Sequence, residues 1–170
     1  MAADLRGALA RQAARSRQRF LELSAGSGAR AAQEQILREA VGPNRDTVFG
    51  KEHGFSKIDG LESYRRAVPL RSHEELAGWI DREIAGEPRV LTAEEPIRYW
   101  KTTGTTARAK LLPWTPAAAH RSMEAFLVVQ GSLNEYFPTV QESPDGLLMT
   151  HLSPRPYRDF LGPRRVPCAT

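Results

Sequence analysis

Apolar residues recur at helical spacing in two N-terminal segments of this chain, which a Gly-Ser-Gly break at residues 26–28 separates. The first stripe contains Leu5, Leu9, Ala13, Phe20 and Leu23. The second segment, residues 31–41, contains Ile36, Leu37 and Ala40. The Ala- and Arg-rich composition of residues 1–20 is also typical of an organelle transit peptide. The stripes nevertheless favour two amphipathic helices.

Two later helices are predicted from capping signals at their starts. Ser72 and Glu75 have the spacing of a capping box, in which each side chain bonds the backbone N–H of the other. Thr115 and Pro116 offer an N-cap and a first-turn proline. After this second signal, large apolar residues follow on one side of the predicted helix, and we expect them in the core. They are Met123, Phe126, Leu127, Leu133 and Phe137.

Short apolar and aromatic runs predict strands. The runs at residues 97–100 and 111–114 flank a polar loop, so that a strand-loop-strand unit is expected there. Residues 147–150, which read Leu-Leu-Met-Thr, are a further strand candidate. Helices and strands that follow one another in this way place the chain in the α/β class.

The loop between the two predicted strands has a composition that suits a polyphosphate. It contains four threonines around a single glycine and ends in a lysine: Thr102, Thr103, Gly104, Thr105, Thr106 and Lys110. A glycine lets backbone N–H groups come close to an anion, hydroxyls donate hydrogen bonds, and the lysine supplies a fixed positive charge.

A Walker A loop is a different motif. It needs a glycine directly before the lysine and a hydroxyl residue after it, whereas Ala109 precedes Lys110 and Leu111 follows it. Judged on the loop alone, an ordinary Thr-rich turn remains the alternative.

Four segments in this order resemble the N-terminal part of the auxin-responsive acyl-acid amido synthetases, a branch of the adenylate-forming superfamily of luciferases and acyl-CoA synthetases. They read FGKEHGFSKI, YRRAVPL, SHEELAGWIDREI and RVLTAEEPIRYWKTTGTTARAKLLPWT. The resemblance covers about residues 33–137. Where the wider superfamily carries a glycine and a proline in the loop, this chain has Ala107 and Ala109.

The resemblance implies a two-step reaction. A carboxylate attacks the α-phosphate of MgATP and releases pyrophosphate, and the amine of an amino acid then attacks the acyl-adenylate to form an amide. ATP, with Mg²⁺ bound through the nucleotide, is the implied cofactor, and small carboxylic acids and amino acids are the implied substrates. Lys110 is the expected catalytic charge, and the expected nucleotide-binding residues are Thr102, Thr103, Gly104, Thr105 and Thr106.

The resemblance also sets the expected organisation. Residues 1–150 would be N-terminal helices plus the strand-loop-strand of the large domain of an adenylate-forming enzyme, which is incomplete here because that branch runs to several hundred residues. Residues 151–170 are expected to be an irregular, Pro- and Arg-rich tail at a truncation.

The composition of the chain disfavours several other classes of protein. The net charge is +4, but the arginine clusters are short and lack interleaved aromatics, which disfavours nucleic-acid binding. No apolar run reaches 18 residues, so no membrane span is expected. The single cysteine, Cys168, favours a reducing compartment and a cytoplasmic protein.

Other kinds of site have little support in the sequence. The four histidines are scattered without ligand spacing, so we expect no metal site. His53, in the HGF segment, is interpreted as part of a structural turn in which Gly54 relaxes the backbone. The alternative to a ligase is a non-catalytic remnant or small interaction domain, in which the threonine loop is only a tight turn.

Overall fold

The computed structural model describes residues 2–26, 28–102, 110–138 and 159–169. These residues form helices α1 (Ala2–Ser24), α2 (Gly28–Val41), α3 (Val48–Glu52), α4 (Leu61–Ala67), α5 (His73–Ile84) and α6 (Pro116–Tyr136). They also form a 3₁₀ turn at Phe55–Lys57 and strands β1 (Arg98–Lys101), β2 (Leu111–Trp114), β3 (Asp159–Leu161) and β4 (Val166–Ala169). The predicted α/β class is confirmed. No described helix combines the length and the apolarity needed to cross a bilayer.

The local signals in the sequence predict most of these elements correctly. The two N-terminal helices form as expected, with α2 beginning three residues earlier than its apolar pattern. The capping box at Ser72 and Glu75 is present, and the Ala118 N–H donates to Thr115 Oγ1 at the start of α6. Residues 139–158, which include the strand candidate at 147–150, lie outside the described residues.

One compact unit consists of residues 1–32 and 119–152. In it α1 and α6 approach closely at Gly131, where a Cβ atom would lie 2.3 Å from the backbone oxygen of Ala13. Ala13 and Leu127 are buried there, and an Arg17–Glu135 ion pair joins the two helices.

The core expected along α6 is largely wrong. Met123, Phe126, Leu133 and Phe137 are each about half exposed, and of the predicted set only Leu127 is buried. Within this unit α6 contacts α1 along the stripe that contains Gly131 and Glu135. Because a single helix covers only one stripe of its neighbour, the rest of the apolar face faces solvent.

The second unit consists of residues 33–118 and 153–170 and contains the sheet, whose strand order is β2-β1-β4-β3. β1 and β2 pair antiparallel, β1 and β4 pair parallel, and β3 and β4 pair antiparallel. The expectation of an irregular tail is therefore wrong for residues 159–169, which supply two strands. Segments of three and four residues are too short to show an alternating pattern, so their pairing with a distant strand leaves no local signal.

α5 is held to the centre of this sheet by a buried polar contact. The hydroxyl of Tyr99, which is almost fully buried, donates to Glu83 Oε1 over 3.3 Å. The other carboxylate oxygen accepts from the Leu91 N–H. Burial raises the pKa of Glu83, against the opposing effect of its hydrogen bonds and of the positive charge of Arg164.

The β3–β4 turn contacts the end of α5 through a glycine. Gly162 has φ of +64°, and a Cβ atom at this position would lie 1.8 Å from the Ile84 backbone oxygen. Beside it, Arg164 donates to the Gly86 carbonyl oxygen and forms an ion pair with Glu95. The turn therefore leaves no room for a side chain at position 162.

Glu83→Gln should make the free energy of unfolding less dependent on pH. Because the folded pKa of Glu83 lies above its unfolded value, its contribution to stability is present below the unfolded pKa and is lost as pH rises through the folded pKa. Glutamine reproduces the protonated carboxyl, so the variant should gain on the wild type between pH 4 and pH 8 in urea titrations. Asp81→Asn, at an exposed position of α5, is the control. A difference that is constant with pH would contradict the assignment.

Gly162→Ala should lower the free energy of unfolding by about 2–5 kcal/mol, because a positive φ and a backbone clash act together. Gly54→Ala is the matched control, since Gly54 has φ of +61° but no atom within 4 Å of a built Cβ. That variant should lose only about 1–2 kcal/mol. Equal losses in denaturant unfolding would show that the close approach to Ile84 carries no cost.

Candidate functional site

The threonine loop leaves the end of β1 and returns at the start of β2. The two strands pair so that Lys101 lies opposite Leu111. Trp100 and Trp114 meet edge to face across the hairpin, with ring centroids 6.0 Å apart. The predicted strand-loop-strand arrangement is thus confirmed, and both ends of the loop are fixed by a paired, aromatic hairpin.

Two hydrogen bonds close the base of the loop, and both join Thr102 to Lys110. The Thr102 N–H donates to the Lys110 carbonyl oxygen over 3.0 Å. The Lys110 N–H donates to Thr102 Oγ1 over 3.2 Å. The Thr102 hydroxyl therefore serves the backbone of the loop itself, as threonine hydroxyls commonly do. The Lys110 side chain is exposed.

Of the predicted site residues, the structure brings together Thr102 and Lys110. The other four, Thr103, Gly104, Thr105 and Thr106, lie outside the described residues. Their assignment as nucleotide-binding residues stays a prediction.

The N-terminus of α5 lies beside the return of the loop. His73, the first residue of α5, donates from Nε2 to the backbone oxygen of Leu111 over 3.1 Å. The next residue, Glu74, has its pKa lowered by its own backbone N–H and then by the positive charge of Lys110. The Glu74 carboxylate therefore lies close enough to Lys110 for their charges to interact.

Sequence reasoning missed the contact of His73. The residue follows a capping serine directly, which predicts a helix start but says nothing of a carbonyl 38 positions further along the chain. The capping box does hold the helix start: Ser72 N–H donates to Glu75 Oε2, and Glu75 N–H donates to Ser72 Oγ.

His53 is engaged within the fold. Its Nδ1 donates to the Phe49 carbonyl oxygen over 2.8 Å, and its Nε2 accepts from the Arg71 guanidinium over 3.0 Å. The ring is buried and stacks on Phe49. The turn predicted at Gly54 is present, and Gly54 has a positive φ of 61°. Because both ring nitrogens form hydrogen bonds within the protein, we interpret His53 as a structural residue.

The arrangement can present the positive charge of Lys110 to an anion. The backbone of Lys110 is fixed at the loop base, while its ammonium group is open to solvent. A cation whose backbone is held in place next to a bound group can stabilise negative charge that develops there. Among the described residues no group of three or more His, Cys, Asp and Glu side chains suits a metal ion.

Comparison with known proteins finds plant acid-amido synthetases and a benzoate-glutamate ligase among the relatives of this chain. The chain is 28% identical over 90 residues to the 4-substituted benzoates-glutamate ligase GH3.12 of Arabidopsis thaliana, which covers 52% of this chain and 16% of the relative. It is 30% identical over 112 residues to the putative indole-3-acetic acid-amido synthetase GH3.10 of Oryza sativa subsp. japonica, which covers 64% and 23%. It is 26% identical over 110 residues to the indole-3-acetic acid-amido synthetase GH3.8 of Oryza sativa subsp. indica, and this alignment covers 64% of this chain and 18% of the relative.

The chain thus spans less than a quarter of the length of these relatives. The family described as the GH3 family N-terminal domain matches residues 18–158, a region that contains the hairpin, the loop and α5. The resemblance inferred from the four sequence segments is therefore confirmed, and the chain belongs to the GH3 family.

Proposed function

We propose that this protein acts in ATP-dependent acyl-acid amide synthesis, with its hairpin loop as the site for the polyphosphate of MgATP. In that reaction a carboxylate displaces pyrophosphate from ATP, and an amino acid then displaces AMP from the acyl-adenylate. Membership of the GH3 family supports the reaction class. The observation that carries the proposal for this chain is the exposed Lys110 at a loop base closed by two hydrogen bonds.

We assign to Lys110 the role of stabilising the negative charge of the leaving group. As pyrophosphate departs, negative charge grows on the β- and γ-phosphates, and a cation fixed near them lowers the barrier. Mg²⁺ bound through the nucleotide would neutralise part of the same charge. Because the Thr102 hydroxyl already accepts from the Lys110 N–H, we assign this threonine to the shape of the loop.

The substrates are proposed from the names of the relatives. One is named for 4-substituted benzoates and glutamate, and others are named for indole-3-acetic acid. Both acids are aromatic carboxylates, so an aromatic carboxylate and an amino acid are the substrate classes to assay first.

Lys110→Ala should weaken binding of MgATP and of pyrophosphate by about a hundredfold and leave AMP binding unchanged. A charge pair at about 4 Å near a protein surface contributes roughly 4 kcal/mol before the cost of desolvation, and each 1.4 kcal/mol is about tenfold in affinity. Titration calorimetry of the chain with the three ligands measures the effect.

Lys101→Ala is the matched control, because Lys101 is also exposed and lies at the other end of the loop. Its affinity for MgATP should stay within about threefold of wild type, the range of a screened surface charge. Equal weakening by the two variants would indicate diffuse attraction and sink the phosphate-site assignment. Acid-dependent exchange of pyrophosphate into ATP, with benzoate or indole-3-acetate, then separates a ligase from a non-catalytic module.

A further inference from the structure

α5 contacts β2 through a hydrogen bond from His73 to the backbone carbonyl of Leu111, at the edge of the sheet. In an antiparallel pair, successive residues point their N–H and C=O groups alternately toward the partner strand and away from it. The Lys110 carbonyl accepts from Thr102 and the Trp114 carbonyl accepts from the Ile97 N–H, so both point toward β1. The carbonyl of Leu111 therefore points away from β1, at the outer edge.

Among the described strands β2 is terminal in the sheet, so that no described strand pairs with its outward groups. Pro113 lies two residues after Leu111, so its backbone groups also point away from β1. Because proline has no backbone N–H, no donor is left unpaired at this position. At Leu111 the partner is the imidazole of His73. Because a carbonyl oxygen only accepts, Nε2 of His73 carries the proton in this contact.

We propose that His73 is a positioning residue for Lys110, a role that rests on the proposed function of the loop. Thr102 bonds both backbone groups of Lys110 from the β1 side, and His73 bonds the following carbonyl from the opposite side. Three hydrogen bonds from two directions hold the backbone on either side of the lysine Cα. The root of the Lys110 side chain is thereby fixed relative to the loop.

His73 is itself rigidly placed. It is the first residue of a helix whose start is closed by the reciprocal bonds of Ser72 and Glu75. Further along, the same helix is anchored to β1 through Glu83 and Tyr99. A half-buried imidazole at the end of such a helix acts as a fixed donor. Movement of β2 away from α5 would break the contact and displace Lys110.

Two substitutions at position 73 separate the donor from the bulk of the ring. His73→Phe keeps an aromatic ring but has no N–H, and His73→Gln restores an N–H close to the place of Nε2. Arg82→Ala is the control for helix stability, because it removes the Arg82–Glu87 ion pair at the far end of α5 and leaves both the cap and the imidazole in place. The readouts are amide hydrogen exchange at Thr102, whose N–H closes the loop base, and calorimetric titration with MgATP.

We expect His73→Phe to speed Thr102 exchange and weaken MgATP binding by roughly fivefold to tenfold each, the effect of one lost hydrogen bond. His73→Gln should return both values to within about twofold of wild type. Arg82→Ala should lower the melting temperature and leave both values near wild type.

Unchanged Thr102 exchange in His73→Phe would overturn the positioning role. Equal effects in His73→Phe and Arg82→Ala would also overturn it, because the loss would then follow helix stability. A wild-type chain that binds no MgATP would refute the proposed function instead, while the exchange rates at Thr102 still decide whether His73 fixes the loop base.

Discussion

The sheet unit depends on the buried contact between Tyr99 and Glu83. Tyr99 lies in the central part of the sheet, opposite Pro113 on one side and Cys168 on the other. Its hydroxyl joins this strand to α5. A buried hydroxyl and a buried carboxylate are each costly without a partner, so the strand and the helix keep one relative placement. Three segments that are far apart in sequence thus meet at one residue.

The loop site follows from that placement. With Glu83 fixed against β1, the N-terminal end of α5 falls next to β2, where His73 reaches the Leu111 carbonyl and Glu74 senses the charge of Lys110. Because α5 is bonded to β1 near one end and to β2 near the other, the position of the buried contact also determines the position of the Lys110 backbone. The buried contact and the loop site are thus connected through α5, so that substitutions at the buried contact should also displace the residues of the loop base.

Local signals predicted what depends on neighbouring residues. The capping box at Ser72, the proline at the start of α6 and the β1–β2 hairpin each follow from a few adjacent side chains, and each is observed. The pairing of Thr102 with Lys110 is the part of the candidate site that the structure describes. The contact of His73 depends on the path of the chain across 38 residues, which no local pattern encodes. The strands β3 and β4 form only because β1 offers them an edge, so three or four residues alone did not reveal them.

The parallel pairing of β1 with β4 has a consequence for synthesis on the ribosome. β1 and β2 can form a hairpin as soon as residue 114 has emerged, but the other edge of β1 has no partner until Val166–Ala169 emerges, which begins 52 residues later. At about 5–20 residues per second the nascent chain shows an open strand edge for several seconds. Unpaired edges template wrong pairings with other chains. Pairing of β4 with β1 removes this exposed edge.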